Sequence, residues 1–108
     1  MSDTIILSNS GGWRAEVDLT AGTLRTLIRR RWRSLTLTGA QVAQIRAAAQ
    51  APHAAGSQNI RTQFVLGAQS WEITLDGQTT TIVFSSDGHT LQLTEPLDRL
   101  VRDLCRTL

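Results

Sequence analysis

Polar and apolar residues alternate early in the chain. Thr4-Ile5-Ile6-Leu7 reads as a first strand, and Trp13, Ala15, Val17 and Leu19 then share one face against Arg14, Glu16 and Asp18. A period of two marks a strand with one buried side. Ser8-Asn9-Ser10-Gly11-Gly12 between them reads as a turn, since its two glycines tolerate positive φ. The two strands should therefore form a hairpin.

The next segment, residues 20–37, fits two periods. At helical spacing Leu24, Leu27, Ile28, Trp32 and Leu35 make one stripe, with Arg31 as the misfit. At strand spacing Leu24, Thr26, Ile28 and Trp32 oppose Arg25, Arg29, Arg31 and Arg33, with Leu27 and Arg30 as the misfits. Helix, strand and loop all stay open here. Both periods place Trp32 beside Leu24 and Ile28, so Trp32 is expected to face apolar neighbours and the arginines to face water.

The remaining elements are clearer. Thr38 followed by Gln41 is a capping box, and Val42, Ile45 and Ala49 fall on one side of the helix that it opens. Pro52 and the small residues after it are expected to end that helix. Residues 60–67 read as a strand. Trp71, Ile73 and Leu75 alternate with Glu72 and Thr74 up to Asp76-Gly77, and Thr81 to Phe84 return, a strong hairpin signal. Asp87-Gly88 suggests a further turn, and Leu91 and Leu93 a short strand. Thr94 and Pro96 suit the start of a last helix striped by Leu97, Leu100, Val101, Leu104 and Leu108. This order predicts a single α+β domain over 1–108, an antiparallel sheet with two helices packed on one face.

Composition adds limits. With 108 residues, 41% hydrophobic and 19% charged, the chain suits one soluble domain. No apolar run is long enough to span a membrane. The start lacks the basic and apolar regions of a secretory signal, and Cys105 is the one cysteine, so a reducing cytoplasm is the expected home. The net charge of +2 conceals an asymmetry: Leu19 to Trp71 holds seven arginines and no acid, while both flanks are net negative. All basic residues are arginine. A basic surface of this kind attracts anionic partners.

Catalytic chemistry is poorly represented. His53, His89 and Cys105 match no zinc spacing, no serine carries a nucleophile-elbow signature, and the SNSGG turn lacks the glycines and lysine of a phosphate-cradling loop. Both histidines read as solvated turn residues, Asp87 as a turn former and Asp98 as a first-turn helix residue. No catalytic residue, metal or cofactor is expected, and an enzyme is not. The arginine cluster around Trp32 offers bidentate phosphate contacts and an aromatic ring, which keeps a small nucleic-acid-binding domain as an alternative. No RNP, helix-turn-helix or zinc-finger signature accompanies it.

Taken together, the Gly-Gly turn at Ser10-Gly11-Gly12-Trp13, the capped helix at Leu37, Thr38 and Gln41, the Trp71–Gly77 hairpin and the Pro96, Leu97, Leu100, Leu104 helix resemble the emfourin family. These are small bacterial cytoplasmic inhibitors of thermolysin-like zinc metallopeptidases. The likeness covers most of the chain through element order and turn positions. Residues 20–37 are longer and more basic than that family's pattern, and Asn59 to Phe64 lacks the acidic and aromatic residues often found there. No inhibitory residue of the family is carried over to a position here. The resemblance implies a proteinaceous inhibitor that occludes an active-site cleft, and residues 23–34 are the expected contact. Leu24, Leu27 or Ile28, if not claimed by the core, would fill the hydrophobic primed-side pocket of such an enzyme. Arg29, Arg30, Arg31 and Arg33 would pair with acids around the cleft, while Trp32 props the segment on the core. The competing view makes the segment only an amphipathic structural element.

Overall fold

A computed structural model describes residues 2–60, 68–85 and 92–108. The first two strands, β1 (Thr4–Asn9) and β2 (Arg14–Asp18), pair antiparallel, with Ile5 opposite Val17 and Leu7 opposite Ala15. Their turn is held by Asn9, whose Oδ1 accepts from the Gly11 and Trp13 amides at 2.9 and 3.0 Å. At the far end of β2 the Asp18 carboxylate accepts from the Thr20 and Ala21 amides, and Gly22 takes a φ of 73°. That bend feeds β3 (Thr23–Ile28), which turns at once into β4 (Arg31–Thr36). The ambiguous segment is thus a second hairpin.

Helix α1 (Gly39–Ala55) follows, and its capping box forms in full: the Gln41 amide donates to Thr38 Oγ1 at 3.1 Å and the Thr38 amide to Gln41 Oε1 at 2.8 Å. Pro52 does not stop this helix, contrary to the reading of the sequence. It sits inside the last turn, where its missing N–H costs one helix bond, and its ring is buried. Helix α1 is followed by the short β5 (Gln58–Ile60), then by β6 (Ala68–Leu75) and β7 (Gln78–Ser85). The β6–β7 hairpin turns at Asp76-Gly77 as expected. The expected strand over 60–67 falls outside the described residues beyond Ile60; so do the Asp87-Gly88 turn, His89 and Leu91, and Leu93 lies in a turn. Helix α2 (Glu95–Cys105) carries Glu95 and Asp98 in its first turn, where they complement the helix dipole. Thr94 takes helical angles instead of the extended ones of a capping residue.

The strands form one sheet in the order β4-β3-β2-β1-β6-β7-β5. All pairs are antiparallel except β5 with β7. The fold is the expected α+β domain, with both helices on one face. That face buries Ile5, Leu7, Val17, Leu24, Trp71, Ile73, Ile82 and Phe84 against Ile45, Ala49, Leu97 and Val101. Leu100, Leu104 and Val42 only flank the core. Burying this apolar surface, at about 25 cal/mol per Å2, supplies most of the drive to fold. The helices stop short of β4, whose residues are exposed except for the half-buried Leu35. The sheet therefore ends in a hairpin edge that projects past the core.

Candidate functional site

The projecting edge is built by an unusual turn. β3 and β4 pair with Ile28 opposite Arg31 and Leu27 opposite Trp32, leaving a two-residue loop, Arg29-Arg30. Both loop residues have positive φ, 51° and 65°. A two-residue turn of this handedness matches the right-handed twist of the strands, but it favours Asn-Gly or Asp-Gly, because side chains with a Cβ crowd the backbone there. The same chain uses the favoured solution at Asp76-Gly77, where φ is 53° and 79°. Arg29 and Arg30 adopt the same geometry without that chemistry.

The turn also decides which side chains go where. Residues directly opposite in an antiparallel pair share a face. Leu24, Thr26 and Ile28 therefore lie on the helix-bearing face with Leu35, Arg33 and Arg31. Leu27 and Trp32 lie together on the open face. The expectation that Trp32 sits beside Leu24 and Ile28 assumed an unbroken period, and the two-residue loop reverses it. Trp32 is 45% exposed, the one large hydrophobic side chain so exposed among the described residues. It does not prop the segment on the core. The Arg25 guanidinium covers one side of its ring, 4.5 Å from the centroid.

Leu24 has no exposed surface. As a partner contact it is ruled out, because the core has claimed it. Leu27 and Ile28 are half-buried, and Arg29, Arg30, Arg31 and Arg33 are exposed. Six of the expected contact residues thus come together on one hairpin tip, with Arg31 and Arg33 on one face, Leu27 on the other and Arg29-Arg30 at the end. Gly12, Trp13, Leu27 and Ile28 line a shallow apolar groove where this tip meets the β1–β2 turn. Trp13 is held there by Arg102, whose guanidinium stacks 4.7 Å from its ring centroid.

Charge is distributed unevenly. Arg25 and Arg14 both pair with Glu16, at 2.6 and 3.2 Å. Arg46 pairs with Asp3, Arg99 with Glu95, Arg102 with Asp98 and Arg106 with Asp103. Among the described residues, Arg29, Arg30, Arg31 and Arg33 have no ion pair. Among the described residues every paired arginine but Arg25 lies off this hairpin, so unpaired positive charge is concentrated at its tip.

The residues considered for catalysis are placed differently. His53 is in the last turn of α1, not in a loop, and its ring Nδ1 and carbonyl lie 3.1 and 3.2 Å from the Thr80 hydroxyl. Cys105, the last residue of α2, is buried, and burial pushes its thiol pKa up, away from the reactive thiolate. Among the described residues no group of His, Cys, Asp and Glu could hold a metal ion, and no helix is long and apolar enough to cross a membrane.

Sequence reasoning missed the exposure of Trp32 and the position of β4 as the last strand on its side of the sheet among the described residues. The one available signal was indirect: two consecutive arginines at the midpoint of a segment with apolar residues on both sides. Comparison of the chain with protein-family models and with curated proteins finds no match.

Proposed function

We propose that this chain is a binding protein and not an enzyme, and that its partner is a thermolysin-like zinc metallopeptidase whose cleft the β3–β4 hairpin occludes. One observation carries the reading. Four arginines without ion pairs sit on a tip whose turn residues are held in a disfavoured conformation. Backbone strain of this kind costs about 1–3 kcal/mol per residue and concentrates at ligand clamps and functional loops. A hairpin anchored by β2 and by the capped start of α1 also needs little ordering when it binds. Leu27 and Ile28 supply aliphatic surface for a hydrophobic pocket, and the arginines supply bidentate donors for acids at its rim. Leu24 has no part in this contact.

The test is inhibition of a thermolysin-like peptidase by the wild type and by the Arg29→Ala/Arg30→Ala/Arg31→Ala variant. The wild type should inhibit, and the variant should be at least about tenfold weaker, the equivalent of about 1.4 kcal/mol. A wild type that slows no such enzyme removes the inhibitor reading, whereas a variant that inhibits equally well removes only the site.

The exposed Trp32 beside unpaired arginines supports a second reading, single-stranded nucleic acid stacked on the ring. Binding would then weaken steeply with salt and be lost in Arg30→Glu/Arg31→Glu. No shift of mixed DNA or RNA at low salt with micromolar protein would exclude it.

A further inference from the structure

The outer edge of β4 has unused backbone groups in an ordered pattern. The Leu37 amide donates to the Gly22 carbonyl at 2.8 Å, which continues the β3–β4 ladder. Arg31, Arg33, Leu35 and Leu37 therefore turn their peptide groups toward β3. Trp32, Ser34 and Thr36 turn theirs away from the sheet. Among the described residues β4 is the last strand on its side of the sheet, and no other strand pairs with these amides and carbonyls.

Charge lies beside that edge. Arg31 and Arg33 share one face of the strand, two residues apart, and neither has an ion pair among the described residues. Edge strands usually carry charge to keep other chains off. Here the charge has a single sign, so it repels basic edges and attracts acidic ones.

We infer that β4 takes up an acidic polypeptide segment as a further antiparallel strand, with acids at alternate positions. The inference rests on the reading that the hairpin is the contact surface, and it names the chemistry of what that surface accepts. An added strand would meet Trp32 and Ser34 through close pairs of backbone hydrogen bonds. Arg31 and Arg33 would then stand in the non-bonded positions, where opposite Cα atoms approach to about 4.5 Å and side chains are closest. Acids opposite these two arginines are separated by one residue, and that residue faces Trp32 on the open face. The matching pattern is acid–apolar–acid.

The edge suits a polypeptide better than a nucleic acid. Each outward residue offers both a donor and an acceptor, and a phosphodiester backbone has only acceptors to return. One face of the Trp32 ring is also already covered by Arg25. A second copy of this chain fits poorly, because it would bring four more arginines to the same edge.

The probes are capped hexapeptides titrated into the full chain at low salt, with hydrogen exchange read at individual amides. Thr-Glu-Val-Glu-Val-Thr should protect the amides of Trp32 and Ser34. Thr-Val-Glu-Glu-Val-Thr has the same composition with adjacent acids and should bind about tenfold more weakly. N-methylating the first valine of the alternating peptide removes the donor facing Trp32 and should weaken it by a similar factor. Ser34→Pro removes an outward donor without touching the β3 ladder, so it too should bind about tenfold more weakly, whereas Ser34→Ala should bind like wild type. Equal binding of the three peptides would reduce the effect to net charge and overturn the inference. So would tighter binding of single-stranded DNA of equal charge. Protection of the same amides in the free protein, growing with its concentration, would assign the edge to a second copy and also overturn it. If the hairpin variant loses peptidase inhibition but no peptide protects these amides, only strand addition falls. If the peptide protects them and no peptidase is inhibited, only the inhibitor reading falls.

Discussion

Replacing Arg29-Arg30 by Asn-Gly should make the protein more stable while removing its proposed contact. Both arginines are in the left-handed region, with φ of 51° and 65°. That region costs about 1–2 kcal/mol per residue for an ordinary L side chain. Asn pays less of this and Gly none, so relief over the two positions amounts to roughly 2–3 kcal/mol. Glycine gains freedom in the unfolded chain, which takes back about 0.5–1 kcal/mol. Removing two of four clustered like charges adds a few tenths more. The net expectation is a gain of about 1–2 kcal/mol, or some 4–8 °C in Tm per kcal/mol for a domain near this size. Urea unfolding followed by tryptophan fluorescence should show a higher midpoint at unchanged slope. The Asp76-Gly77 turn provides the control: Asp76→Arg/Gly77→Arg should cost at least as much as the first change gains. A variant no more stable than wild type would refute the claim that the Arg-Arg turn is held against its own preference.

Two further changes test the framework. Leu24→Ala should cost about 2–5 kcal/mol because the side chain is fully buried, and Leu27→Ala on the other face about 1 kcal/mol or less. The reverse order would mean that the hairpin register is off by one. Acid should destabilise the fold through two carboxylates held below their ordinary values of 3.8 and 4.5. For Asp3 the main cause is the hydrogen bond from Arg46, followed by that from the Asp76 amide. For Glu16 burial pushes upward, but hydrogen bonds from Arg25 and Arg14 outweigh it. Groups with lowered folded values stabilise above their unfolded values and lose that contribution as pH falls through the folded ones. Stability should thus hold from neutral pH to about pH 5 and decline below about pH 4.5, with a shallower decline in Asp3→Asn. An identical decline in that variant would remove Asp3 from the explanation.

What the sequence made legible depended on local chemistry. The capping box at Thr38 and Gln41, the Asp76-Gly77 hairpin and the alternation in β2 each rest on residues that specify their own backbone, and each formed as expected. The β3–β4 hairpin was illegible for the opposite reason. Arginine gives no turn signal, so nothing marked the chain reversal at residues 29 and 30. An unbroken period then put Trp32 on the wrong face. Leu24 was read as available because its burial depends on long-range packing into the core, which periodicity does not reveal. Pro52 misled because the rule counts the helix bond that proline loses and takes no account of burial, and Pro52 is buried. The cluster of expected contacts was visible in sequence, whereas the absence of ion pairs around it needed the positions of the acids in space.

Hydrogen exchange on the chain, free and bound to a thermolysin-like metallopeptidase, tests the central claim most directly. Bound, the amides between Leu27 and Thr36 should slow, those of Trp32, Ser34 and Thr36 most of all, while the outer surfaces of α1 and α2 exchange as before. Unchanged exchange along the hairpin in a mixture with the enzyme, or protection confined to the helices, would contradict it.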